Sequence, residues 1–212
     1  MKRGYEAIVG GLIWAALVLQ FWLLIDKAIA NGLTVWIGVA RYFGYFTILT
    51  NILVALVLTV PLLIPDHGLG RFLSQPSVRT ATAGYIIVVG VIYSLVLRDL
   101  WNPEGLQLIA DRMLHDFSPI AYVFDWLLFV PKSFLRVEDL PSWLIYPGTY
   151  AIAALVRGAI FGWYPYPFLN AGELGYPQVL LNVALLLVGF LVLGLMLIKL
   201  GQRLKYAKIR RI

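Results

Sequence analysis

Thr47 and His115 are the pair of side chains in this sequence best suited to covalent chemistry together. A threonine hydroxyl is a poor nucleophile at its own pKa and needs an adjacent base to take its proton during attack. Imidazole is the side chain that does this near neutral pH. Of the two histidines, His67 falls in a loop, which leaves His115 for the task. Asp111, one helical turn earlier, is positioned to orient the imidazole, with Asp116 and Asp99 as alternatives. An acyl transfer also needs donors for the developing oxyanion, and Asn51, one turn beyond Thr47, and then Tyr122 are the side-chain candidates. Arg98 and Arg157 present forked cations that suit a fatty acid carboxylate, and Thr50 and Ser118 join them as candidate substrate-binding groups. Cysteine is absent, which removes thiolate nucleophiles, thiolate metal sites and disulfides together, and the scheme calls for no metal or organic cofactor.

The elements that carry these residues are apolar helices. Sixty-one per cent of the chain is hydrophobic and thirteen per cent charged, against about 25% charged in soluble domains. Stretches near 7–25, 43–63, 80–97, 109–130, 143–161 and 179–200 are long enough to span a bilayer, giving an all-α bundle of about six transmembrane helices in a single domain covering 1–212. Proline and glycine punctuate the intervals, at Asn31-Gly32, from Pro61 to Pro76, at Asn102-Pro103, from Pro131 to Pro141 and in Tyr164-Pro165-Tyr166-Pro167. The last of these reads most simply as a cap and turn at an aromatic interface.

Thr47, Thr50 and Asn51 share one helical face, and His115, Ser118, Tyr122 and Asp125 form a second polar stripe. Counted from the outer ends of their spans, Thr47 lies roughly 6 Å deep and His115 roughly 9 Å deep. The two stripes are therefore expected to face each other at one level. Threonine and serine in membrane helices more often bond the backbone, which is the plain reading of Thr50 and Ser118. Arg98 is close enough to its helix end to snorkel and pair with Asp99. Asp125, near mid-span, requires a partner such as Tyr122 or Asn51, or protonation.

Charge sets the expected orientation. Lys2, Arg3, Arg71, Arg79, Lys132, Arg136 and the tail residues Lys199, Arg203, Lys205, Lys208, Arg210 and Arg211 fall on the side of the termini, against Lys27, Arg41, Arg98, Arg112 and Arg157 opposite. By the positive-inside rule both termini are cytoplasmic. The basic tail reads as a topology signal with attraction to anionic lipid, not as a nucleic-acid site, because it has no interleaved aromatics or recognisable module.

Three segments carry a resemblance: Arg41-Tyr42-Phe43-Gly44-Tyr45-Phe46-Thr47-Ile48-Leu49-Thr50-Asn51, the stretch from Leu114-His115 through Pro119, and Gly162-Trp163-Tyr164-Pro165-Tyr166-Pro167-Phe168-Leu169. In this order they resemble the androgen-induced transmembrane protein family and its bacterial relatives. The resemblance implies a multi-span intramembrane hydrolase of fatty acid esters of hydroxy fatty acids, with Thr47 as nucleophile and His115 as its histidine, a fatty-acyl lipid as substrate, and a bacterial plasma membrane as location. A second class of function fits the residues too: a non-catalytic binding or transport protein for an anionic amphiphile, which would need the arginines but not the threonine hydroxyl.

Overall fold

In the computed structural model, which describes residues 1–209, the described residues form helices and turns without strands. The helices are α1 (Lys2–Ala30), α2 (Val35–Tyr42), α3 (Phe46–Leu63), α4 (Gly68–Leu73), α5 (Pro76–Ile92), α6 (Gly105–Arg112), α7 (Ser118–Phe129), α8 (Leu140–Phe161), α9 (Ala171–Leu174) and α10 (Tyr176–Ile209). Five helical stretches, Lys2–Ala30, Phe46–Leu63, Pro76–Leu100, Val137–Phe161 and Tyr176–Leu204, are long and apolar enough to cross a membrane, consistent with an integral membrane protein. The stretch near 109–130 is helical as well, running from α6 through a π-helical turn at Met113–Phe117 into α7. It is not among the five, and it carries Asp111, Arg112, Asp116 and Asp125 along its length. Arg210 and Arg211 of the basic tail lie outside the described residues, as do the side chains of Lys205 and Lys208.

By its contacts the chain, read from sequence as a single transmembrane domain, divides into two compact units at Pro131 and Lys132. In the first, α1 packs on α3, α3 on α5, α5 on α7, and the α6–α7 run returns to α1, closing a four-helix ring. Its core is the buried set Ile13, Leu17, Val54, Val57, Leu58 and Ile86. The second expected span begins at Phe46 and not at 43, because Phe43, Gly44 and Tyr45 make a turn that separates α3 from the short α2. Helix α2 starts at Thr34, whose hydroxyl accepts the Ile37 N–H. It lies across α1 where Gly38 leaves room beside Ala28 and Ile25. Tyr42 fixes it there by donating to the Leu17 carbonyl at 2.9 Å, and burial pushes this phenol up to about 12.

The second unit pairs α8 with α10. Gly162, at φ +65°, ends α8 in the left-handed conformation that glycine adopts without strain, and the Tyr-Pro run carries the chain onward. Asn182 on α10 donates to the Phe168 carbonyl at 2.9 Å, and Ala154, Leu169, Ala171 and Val179 form the local core. Gly194 admits the side chains of Leu140 and Trp143 against α10.

Candidate functional site

Two π-helical turns meet in the first unit. One spans Tyr93–Leu97 at the end of α5, and the other spans Met113–Phe117 between α6 and α7. Such single-turn departures from the α ladder occur often at functional sites. The second has a local cause in Pro119, which has no N–H to give the His115 carbonyl four residues back, so the ladder must change its spacing there. Gly90 lets α5 run close to this break: a Cβ there would sit 3.2 Å from the Pro119 Cβ and 3.4 Å from the His115 carbonyl oxygen.

The result is a compact set of polar side chains. His115 Nδ1 lies 3.0 Å from the Asp111 backbone oxygen and 3.2 Å from its carboxylate Oδ1. The backbone contact has good hydrogen-bond geometry, whereas the carboxylate contact is close but poorly directed, leaving Oδ1 without a regular hydrogen bond. Both neighbours are acceptors, so Nδ1 carries a proton, and in the neutral ring Nε2 holds the lone pair. Asp111 is almost fully buried, and its Oδ2 accepts the hydroxyl proton of Tyr93. The Tyr93 ring stacks on the imidazole, with centroids 3.9 Å apart and planes inclined by 14°. Contacts with Asp111 and Tyr93 thus hold the imidazole in one orientation.

Arg98 does not pair with Asp99. Its guanidinium forks onto Asp116, with Nη2 2.5 Å from Oδ1, and Arg112 shares the same carboxylate at 2.9 Å. Arg98 also covers the Tyr93 ring at 4.9 Å and donates to the Ser94 hydroxyl at 3.2 Å. Ser94, Tyr93 and Asp116 as a salt-bridge hub went unremarked in the sequence. The period-of-four rule would have linked Ser94 to Arg98 and Arg112 to Asp116, but the π turns that bring α5 against α6–α7 leave no such pattern.

Two cavities adjoin this cluster. A groove of about 480 Å³ between α5 and α7 has Ser94, His115 and Asp116 at one end and otherwise apolar walls. A polar hollow of about 490 Å³ is lined by Tyr93, Arg98, Asp99, Trp101, Asp111 and Arg112. His115 lines the groove and makes no hydrogen bond through Nε2 among the described residues.

Thr47 approaches from α3. It is buried, and its carbonyl accepts from Asn51 Nδ2 at 2.9 Å, while the same nitrogen donates to the Leu114 carbonyl at 3.1 Å. One amide therefore bridges the turn bearing Thr47 to the residue preceding His115, at the level where the two polar stripes are expected to meet. The bridge also commits both N–H donors of Asn51, and the reverse orientation of the amide would set its oxygen against two carbonyls. As arranged, Asn51 is a clamp between helices with no donor left for an oxyanion. Tyr122, the other oxyanion candidate, is spent in the same way: fully buried, it donates to the Arg79 carbonyl at 3.1 Å. Thr50 is fully buried on α3, and Ser118 is fully buried with an unpartnered hydroxyl. Arg157 belongs to the second unit, where its guanidinium sits 4.9 Å from the centre of the Trp163 ring.

Asp125 has a partner that differs from the expected ones. Arg79 Nη2 reaches Asp125 at 2.5 Å and Glu6 at 2.6 Å, forming a buried triad with one residue each from α1, α5 and α7. Arg79, which reads in sequence as a loop charge setting the topology, is buried inside the ring of helices. Lys2 approaches Glu6 at 3.8 Å.

No protein-family model, curated protein or solved structure matches this chain with significance.

Proposed function

We propose that the protein is an intramembrane lipid-ester hydrolase with His115 as general base. The observation that carries this reading is the imidazole itself, held at Nδ1 by Asp111 and stacked on Tyr93, with an unbonded Nε2 in a ring that lines an apolar groove. In the proposed step Thr47 Oγ attacks the ester carbonyl and its proton passes to Nε2. The same proton then goes to the departing alkoxide, giving the free hydroxy acid and an acyl-threonine. Water activated by His115 hydrolyses that acyl-enzyme, and the polar hollow beside Asp111 is the route by which it would arrive. Arg98, already donating to Ser94 beside the groove, is the cation best sited to stabilise the oxyanion now that Asn51 and Tyr122 are otherwise engaged.

Ser94 is a second candidate nucleophile, on the specific ground that it lines the same groove as His115. The resemblance to the androgen-induced family favours Thr47, and fatty acid esters of hydroxy fatty acids are the substrate to try first. The arrangement in the membrane proposed with this activity has six crossings, counting the charged Gly105–Phe129 run as the fourth. Both termini would then be cytoplasmic, in a bacterial plasma membrane.

The test is turnover of such an ester by the purified protein in lipid nanodiscs. His115→Ala should lower kcat by about 10²–10⁴-fold, the usual range for a lost general base. A fluorophosphonate should label one hydroxyl, and peptide mapping together with Thr47→Ala and Ser94→Ala identifies which. Turnover that persists undiminished in His115→Ala would remove His115 as the base, and no turnover by the parent protein would refute the hydrolase and favour an amphiphile-binding protein that performs no chemistry.

A further inference from the structure

The groove between α5 and α7 is almost wholly apolar at its surface, with Ser94, His115 and Asp116 at one end only. Its walls are otherwise Ile87, Val91, Leu95, Ile120, Val123 and Phe124, and of these Leu95, Ile120 and Phe124 are more than half exposed. The α5 wall belongs to a helix long and apolar enough to cross a membrane, so the medium those side chains would meet is lipid tails, not water. The polar end is chemically one-sided. Asp116 is neutralised by Arg98 and Arg112 together, so what remains for an occupant there is the Ser94 hydroxyl, held by Arg98, and the imidazole. The Ser94 hydroxyl suits a neutral acceptor such as an ester carbonyl, while the Nε2 lone pair is left for a proton donor. From Ile87 to Ser94 the wall is seven residues of helix, roughly 10 Å, on the order of eight methylene groups laid end to end. A volume of about 480 Å³ falls within the range of small-molecule sites.

We propose that this groove binds a single acyl chain of an ester lipid entering sideways from the bilayer, with the ester carbonyl at the Ser94 hydroxyl and the chain end beside Ile87 and Phe124. The inference deepens the hydrolase reading by naming where its substrate lies, and its test needs no turnover. The probe is a long-chain methyl ketone with a diazirine near the far end of the chain, which keeps the carbonyl acceptor but has no leaving group. Irradiated with the full chain in nanodiscs, it should label Ile87, Val123 or Phe124 saturably, and excess unlabelled ketone should cut that labelling at least tenfold. Val123→Trp, which fills the groove, should cut it at least fivefold without changing labelling on α1. Val91→Trp does the same from the opposite wall and serves if the first variant does not fold.

Labelling that never saturates, or that Val123→Trp and Val91→Trp both leave unchanged, overturns the proposal. Cross-links joining two chains through these residues would mean that a second copy covers the groove, and would overturn it too. Saturable labelling without ester turnover keeps the groove and removes the hydrolase. Turnover without saturable labelling does the reverse.

Discussion

An imidazole is a useful base only when its proton is fixed to the nitrogen facing away from the substrate. Asp111 does this with its backbone oxygen, its carboxylate standing close beside, and the helical spacing of four makes that geometry inexpensive to hold. Asp111→Asn keeps the size and the backbone contact but replaces the carboxylate, so it removes the charge that steadies an imidazolium during turnover. On the hydrolase reading kcat should fall by about 10²-fold or more while ligand labelling in the groove is retained. Steady-state kinetics beside the ketone-labelling assay separate the two, and equal loss of both would reduce Asp111 to a folding residue. Much at this scale was legible in the sequence, because the pairing of Asp111 with His115 depends on local periodicity alone. The engagement of Asn51 and Tyr122 was not. Each has the right type at the right spacing for an oxyanion donor, but their protons are claimed by the carbonyls of Thr47, Leu114 and Arg79. Backbone carbonyls on neighbouring helices leave no trace in side-chain pattern.

Between residue and fold stands the π turn. Hydropathy places the long helices because burial in an apolar medium is a property of whole segments, and all six expected stretches are helical. It cannot register a change from four- to five-residue spacing within one of them, although Pro119 marks the spot in retrospect. The same blindness hides α2, whose eight residues read as the approach to a span. The π turn at Met113–Phe117 rotates His115 and Asp116 relative to the face set by α7. Pro119→Ala supplies the missing N–H to the His115 carbonyl and lets the run settle into a regular α-helix. Thermal stability should hold or rise, since proline costs about 3 kcal/mol inside a helix. On the hydrolase reading, ester turnover should drop at least tenfold as the ring turns away from Tyr93. Retention of full activity with restored α-helical amide protection at residue 119, read by hydrogen exchange, would show that the π turn has no part in positioning the base.

At the scale of the whole first unit, the buried triad of Glu6, Arg79 and Asp125 ties together three of the four long runs. The sequence signalled that Asp125 needed a partner, but the partner was hidden in a residue that looked like a loop cation. A charge count along the chain does not distinguish an arginine at a helix entrance from one folded inward. Burying three charges is costly, and such a cluster is weak grounds for net stability, although removing one member from it is severe. Arg79→Met leaves two carboxylates facing each other in an apolar interior with no cation between them. It should lose about 3–5 kcal/mol, or fail to accumulate as folded protein. The triple replacement Glu6→Gln, Arg79→Met, Asp125→Leu removes the charges as a set and should recover most of that loss. The comparison is made by reversible denaturant unfolding in micelles, with Tyr122 and Trp126 left in place so that the hydrogen bonds to the Arg79 carbonyl and Thr80 hydroxyl persist. If the triple variant is as unstable as the single one, the triad contributes net attraction and not merely mutual compensation, and the ion cluster becomes a principal source of cohesion among α1, α5 and α7.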